Sequence, residues 1–190
     1  MLPKLIRVRR FGDDRGWFCE SYNAGRFAAA GITESFPQDN HSLSARKGTL
    51  RGLHFQTPPH AQAKVVRCVA GAIWDVAVDI RSGSPTRGRW VGATLTPEGG
   101  EQLYIPAGFA HGFVTLTENT QVLYKASALY APDNEGAVRW DDPDVAIRWP
   151  LDCLAPTLSD KDAVAPLLAE LPDIFAYDGD PLGELEEVNA

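Results

Sequence analysis

The chain has 190 residues, 44% of them hydrophobic and 23% charged, with a net charge of −7. That mix is of an ordinary globular domain and excludes a low-complexity or disordered chain. No apolar run is long enough to span a membrane, Met1-Leu2-Pro3-Lys4 lacks the core of a signal peptide, and no basic cluster marks a nucleic-acid surface.

Three cysteines, Cys19, Cys68 and Cys153, are odd in number and form no CxxC pair. They argue against a disulfide framework or a zinc site, and a reducing cytoplasm is the expected setting. The charge is unevenly placed. From Pro172 to Ala190 the acids are Asp173, Asp178, Asp180, Glu184, Glu186 and Glu187, with no Lys or Arg. That stretch carries −6 and leaves −1 for the rest, so the body does not repel an anionic ligand. The expected division is a folded domain over 1–171 and an acidic, solvated tail over 172–190.

In chain order, Asn23 to Gly31 predicts a short helix, with Asn23 as N-cap and Gly31 closing it. Arg51-Gly52-Leu53-His54-Phe55-Gln56 reads as a strand. If regular, it places Arg51 and Leu53 on one face and His54 and Gln56 on the other. Strands are predicted over Lys64–Val69 and Ala72–Ile80. In the latter, Trp74, Val76, Val78 and Ile80 share one face, and Ile73, Asp75, Ala77 and Asp79 share the other. Trp90–Leu95, Gln102–Ile105, Gly112–Leu116 and Gln121–Ala128 read the same way, separated by turn residues such as Ser82-Gly83-Ser84-Pro85 and Pro106-Ala107-Gly108. A second helix is expected between Ser159 and Leu171, limited by Pro166. Many short strands at this spacing predict an all-β fold, and a jelly-roll barrel closing around a pocket fits best.

Several strand segments carry polar groups where apolar ones are expected. Lys64 opens one strand, His111 follows a turn, and Tyr124 shares the face of Val122 and Ala126. Singly, a half-buried His or a strand Tyr is more often a hydrogen-bonded core residue, and a strand-end Lys is usually solvated. Several ionisable groups in one barrel are costly without a function. Metal chemistry is disfavoured. Pro106-x-Gly108-x-x-His111 resembles a metal-site turn of cupins, but the HxH pair such sites need is replaced by His54-Phe55-Gln56, and Gln is a poor ligand for a transition metal.

Arg51-Gly52-Leu53-His54-Phe55-Gln56, with Pro58-Pro59, Gln62 and Lys64, resembles the dTDP-4-dehydrorhamnose 3,5-epimerase family. Further segments match in consistent order from about Arg10 to Leu168. They include Asp14-Arg15-Gly16-Trp17-Phe18-Cys19-Glu20, Gln38-Asp39-Asn40-His41-Ser42, Ile105-Pro106-Ala107-Gly108-Phe109-Ala110-His111-Gly112-Phe113, Tyr130-x-Pro132 with Glu135, and Leu158-Ser159-x-Lys161-Asp162. The acidic segment lies outside the matched stretch.

The resemblance implies a cupin-like jelly roll, a homodimer, no cofactor and no metal. The implied substrate is a dTDP-linked 4-keto-6-deoxyhexose epimerised at C3, C5 or both. It implies His54 as base with Asp162 as its partner, Tyr124 as acid, and Lys64 at the enolate oxygen. Arg15, Glu20, Gln38, Asn40, Arg51, His111, Tyr130, Glu135 and Lys161 match substrate-binding positions, Tyr130 also standing as the competitor for the acid. Ser159-x-x-Asp162 also resembles a helix cap, so Asp162 has a second possible role. The alternatives are a single-position epimerase or ketoisomerase of related fold, and a nucleotide-sugar binding protein without activity. Binding alone requires neither an acid nor a base, which favours an enzyme.

Overall fold

The computed structural model describes residues 1–153 and 155–190. In chain order its elements are β1 (Lys4–Arg7), β2 (Arg10–Asp13), β3 (Gly16–Cys19), α1 (Ala24–Ala29), β4 (Gln38–Ser44), β5 (Leu50–Gln56), β6 (Lys64–Ala70) and β7 (Ile73–Asp79). There follow β8 (Trp90–Leu95), β9 (Glu101–Ile105), β10 (Phe109–Thr115), β11 (Thr120–Ala126), β12 (Glu135–Ala137), α2 (Asp160–Ala163) and β13 (Glu186–Asn189).

Two sheets face each other as a jelly roll. One has six strands in the order β13-β1-β9-β6-β11-β4, the other five in the order β12-β5-β10-β7-β8. Between them lie Val66 and Leu103 from the first sheet and Ile73, Ala77, Leu95 and Phe113 from the second. The outer face of the five-stranded sheet, with Val76, Val78 and Ile80, is covered by Val138, Val145 and Leu168 of the C-terminal third. The outer face of the six-stranded sheet is covered by Phe27 of α1 and by Ile32, packed on Val65 and Tyr104. The alternation predicted along β7 is therefore observed, with Asp75 and Asp79 on the face turned to the barrel interior.

Both predicted helices are present but unequal. Asn23 caps α1, its Oδ1 accepting from the amides of Gly25 and Arg26. The second is a single turn, Asp160–Ala163. The chain then passes Pro166, which has no N–H to continue the ladder, and makes only a short 3-10 turn at Leu168–Glu170. The strand predicted from Gly112 starts at Phe109, directly after the Pro106-Ala107-Gly108 turn.

The acidic segment is not the solvated tail expected from its charge. It contributes a buried residue to each apolar layer: Leu182 between the sheets, Phe175 outside one and Ala190 outside the other. Burying a side chain of the size of Phe or Leu stabilises by about 1.5–3 kcal/mol, which outweighs the loss of solvation for a segment whose acids stay near the surface. Its strand β13 pairs in parallel with β1. Its acids have partners on the body: Asp178 takes Arg81 and the N-terminal amine, Glu186 takes Lys4, and Glu187 takes Arg7.

Candidate active site

A cavity of about 510 Å³ opens between the sheets, lined by Arg51, His54, Lys64, His111, Tyr124, Glu135, Lys161 and Asp162 among others. A recess of about 310 Å³ adjoins it, sharing His54, Lys64, Tyr124 and Glu135 and adding Gln38, Asn40 and Tyr130. Eleven of the thirteen residues singled out in the sequence thus meet at one place.

The facing sheets supply different groups. His54 and His111 come from β5 and β10 of the five-stranded sheet, while Tyr124 and Lys64 come from β11 and β6 of the other. Arg51 joins His54 because β5 is not regular. His54 pairs with His111 and Arg51 with Phe113, so β5 holds one extra residue over this stretch. The face assignment expected for a regular strand is therefore wrong for Arg51. Gly52 sits in the irregularity with φ near +120°, where a Cβ would lie 2.6 Å from the Cα of Gly112. Two glycines opposite one another let the strands approach there and turn Arg51 into the cavity. Arg51 is braced by Nε on Ser44 Oγ at 3.2 Å and by its second nitrogen on the Leu43 carbonyl at 3.3 Å.

His54 Nε2 lies 2.5 Å from Asp162 Oδ1. With Nε2–H donating to this carboxylate, Nδ1 is left as the free base. The two roles weighed for Asp162 coexist. Ser159 Oγ accepts from the Asp162 amide at 3.2 Å, which caps α2 and aims the carboxylate at His54. Burial pushes the Asp162 carboxyl up, but His54, Ser159 and the Gly52 amide outweigh it and hold it below the usual carboxylate range.

Burial lowers Lys64 to about 8, against the fields of Asp75 and Glu135, so at neutral pH it remains a cation with a labile proton. Burial raises Tyr124, Arg51 opposing, which leaves the phenol a proton donor at neutral pH. Burial also lowers His111, whose Nε2 lies 2.6 Å from the Asp75 carboxylate. At the rim, Lys161 is paired with Glu135 at 2.9 Å.

In the recess, Gln38 Oε1 accepts from the Tyr130 amide at 2.8 Å and its Nε2 donates to Asn40 Oδ1 at 3.2 Å. Arg15 and Glu20 are not in the cavity of their own chain. Arg15 lies in the β2–β3 hairpin on Asp13, and Glu20 faces Arg26 at 3.6 Å.

Two further residues were not assigned a role from sequence. Gln56, seen only as a failed metal ligand, holds the loop walls. Its Nε2 donates to the carbonyls of His60 and Leu129, and its Oε1 accepts from the Ala131 amide. Asp75, fully buried behind His111, was visible in sequence only as an acid sharing a strand face with Ile73 and Ala77. Among the described residues, no group of three or more His, Cys, Asp or Glu is placed to hold a metal ion. None of their helices is long and apolar enough to cross a membrane.

A cavity with a His–Asp base, a phenol and a half-buried cation from opposing sheets suits proton transfer at a carbon acidified by a ketone. Comparison with known proteins agrees. The family model described as dTDP-4-dehydrorhamnose 3,5-epimerase matches residues 3–170. A dTDP-4-dehydrorhamnose 3,5-epimerase of Sinorhizobium fredii is 51% identical over 174 residues, 92% of this chain and 89% of that protein. The crystal structure of a dTDP-6-deoxy-D-glucose-3,5-epimerase from Legionella pneumophila, in complex with dTDP-4-keto-L-rhamnose, superposes with a TM-score of 0.86 at 42% identity, covering 93% of this chain and 100% of that one. A 3'-monoepimerase from Streptomyces bikiniensis, in complex with dTDP-quinovose, superposes with a TM-score of 0.82 at 39% identity, covering 88% and 84%. Cavity, fold and sequence converge: the chain belongs to the dTDP-4-dehydrorhamnose 3,5-epimerase family and is an isomerase of the epimerase type.

Proposed function

We propose that this chain inverts C3 and C5 of a dTDP-linked 4-keto-6-deoxyhexose, in the making of a rhamnose-type deoxysugar. The observation that carries the reading is the placement of His54, braced by Asp162, and Tyr124 on opposing walls of one cavity, with Lys64 beside both. His54 Nδ1 takes a proton from the carbon next to the C4 ketone. The C–H electrons form a C=C bond to C4, and the carbonyl oxygen becomes an enolate held by the Lys64 cation. Tyr124 then delivers its proton from the other face, the carbonyl re-forms, and the carbon is inverted. Solvent recharges Tyr124 and discharges His54 before the second carbon reacts. Arg51 supports the reading as a diphosphate ligand, since its guanidinium can make paired, charge-assisted bonds to phosphate oxygens. Gln38 and Asn40, tied together in the recess, suit the pyrimidine edge.

The 3'-monoepimerase among the structural relatives favours one second reading, inversion at C3 alone. A single experiment tests both. In deuterated water, dTDP-4-keto-6-deoxyglucose is followed by mass spectrometry for exchange and by NMR for inversion, with wild type and Tyr124→Phe. Wild type is expected to exchange and invert at both carbons. The variant is expected to keep washing deuterium in while inversion is lost or much slower. Inversion at C3 only would select the second reading. Unchanged inversion in the variant would remove Tyr124 as the acid and leave Tyr130 next in line.

A homodimer belongs to the same proposal. The β2–β3 hairpin pairs with neither main sheet and exposes Phe11, Trp17 and Phe18, the last at 69%. A hairpin of one copy reaching the cavity of the other would bring Arg15 and Glu20 to the substrate. Activity per molecule is then expected to fall on dilution in step with the loss of dimer measured by sedimentation.

A further inference from the structure

We infer that Asp75 is a positioning residue for this chemistry: through His111 and through the barrel interior it keeps one imidazole tautomer fixed and the Lys64 ammonium charged. The inference rests on the reading of Lys64 as the group that holds the enolate oxygen.

Asp75 stands on the interior face of β7, between Ile73 and Ala77, and is fully buried. Its Oδ1 is 2.6 Å from His111 Nε2, while its Oδ2 has no hydrogen-bond partner. An unpaired, buried carboxylate oxygen is costly, and orienting one imidazole does not require it. A neutral acceptor would hold the His111 N–H equally well. The full negative charge acquires a purpose from Lys64, whose ammonium lies in the same interior. Among the described residues, no carboxylate bonds Lys64 directly. Asp75 and Glu135 act on it through space, Asp75 more strongly, and Lys161 acts against them.

The other groups around Lys64 are His54 on β5, His111 on β10, Tyr124 on β11 and Arg51 on β5, all lining the same cavity. Of the two carboxylates on the cavity wall, Asp162 is committed to His54 at 2.5 Å. Glu135 is already committed to Lys161 at the rim, at 2.9 Å. Asp75 is thus the interior anion that opposes what burial does to Lys64. Burial favours neutral His111, whose proton then sits on Nε2 toward Asp75.

The test begins without substrate, so that it is independent of the assigned reaction. Competitive acetylation with acetic anhydride, read by mass spectrometry across pH, gives the protonation curve of Lys64. In wild type it is expected near pH 8. In Asp75→Asn the proton is expected to bind Lys64 less tightly, on the order of tenfold. Asp75→Glu, which keeps the charge, is expected to restore most of the difference. Nitrogen-15 shifts of the His111 ring in wild type are expected to show the proton on Nε2, a measurement that does not depend on any variant folding.

Turnover of dTDP-4-keto-6-deoxyglucose is then followed against pH. The alkaline limb of kcat is expected to move down with the Lys64 curve in Asp75→Asn, with KM changing less. An unchanged Lys64 curve in folded Asp75→Asn, or a wild-type His111 proton on Nδ1, overturns the inference. A shifted Lys64 curve with an unmoved kcat limb upholds the coupling to Asp75 and instead overturns the role given to Lys64.

Discussion

Strand β7 carries two buried carboxylates four residues apart on one face, and the protein treats them in opposite ways. Asp79 accepts five hydrogen bonds: from the backbone amide, Nε and a terminal nitrogen of Arg81, and from the hydroxyls of Ser84 and Thr86. Arg81 is in turn held by Asp178 at 2.6 Å and lies over the rings of Phe109 and Tyr177. Asp75 has one partner, His111, and a bare oxygen. A charge whose work is to hold the fold is neutralised within its own neighbourhood. A charge whose field is needed elsewhere is left incompletely paired. Stability and chemistry should therefore separate along a single strand.

The largest effect expected lies at the reactive end. His54→Asn should lower deuterium exchange at both carbons on the order of 10²–10⁴-fold, the usual loss for a general base, while dTDP binding and the urea midpoint hardly move. Exchange near the wild-type rate would take His54 out of the reaction.

Asp79→Asn should do the reverse. Removing one partner of a buried ion pair costs about 3–5 kcal/mol, so the urea midpoint should fall sharply while kcat per folded molecule is kept. Acid titration sharpens the contrast. Burial pushes Asp79 up, but Arg81, Ser84 and Thr86 prevail and hold it below the usual range, as His54 and Ser159 do for Asp162. Groups depressed on folding stabilise fully above their unfolded value, near pH 4, and lose that contribution as pH falls through the folded value. Unfolding free energy should thus drop below about pH 4, less steeply in Asp79→Asn. Equal slopes would mean that Asp79 contributes nothing to acid stability.

A smaller effect is expected for Arg51→Ala. Loss of a charged hydrogen-bond donor is worth about 1.5–3 kcal/mol, so dTDP affinity measured by calorimetry should weaken about 10- to 100-fold. Lys should rescue it only in part, lacking the planar fork. Unchanged affinity in a folded variant would give Arg51 another task. The smallest effect is none: activity is expected to survive chelation and dialysis. Loss of activity restored by one divalent ion would overturn the metal-free mechanism.

Much of the site was legible because its residues interrupt an apolar alternation at definite places. His54, Lys64, His111 and Tyr124 could be found that way, and the resemblance added their roles. The face of Arg51 could not be read, since the extra residue in β5 appears only where Gly52 meets Gly112 across the sheet. Counting by twos fails at such a point, and the paired glycines were the available signal. The acidic segment was misread because charge was weighed above its few apolar residues. Phe175, Leu182 and Ala190 are spaced too widely for any period, yet each reaches a different layer. Asp75 and Asp79 looked alike in sequence. Their difference lies in Arg81, Ser84 and Thr86, which the turn after β7 folds back onto one and not the other.

The pairing of β1 with β13 has a consequence for synthesis. Lys4 and its partner Glu186 are 182 residues apart. On a ribosome adding about 5–20 residues per second, β1 waits on the order of ten seconds or more for β13. During that time one side of Lys4–Arg7 is an open edge, with Leu5 and Ile6 available to any neighbouring nascent chain. Lys4 and Arg7, which in the finished fold hold Glu186 and Glu187, are meanwhile the like charges that keep two such edges apart.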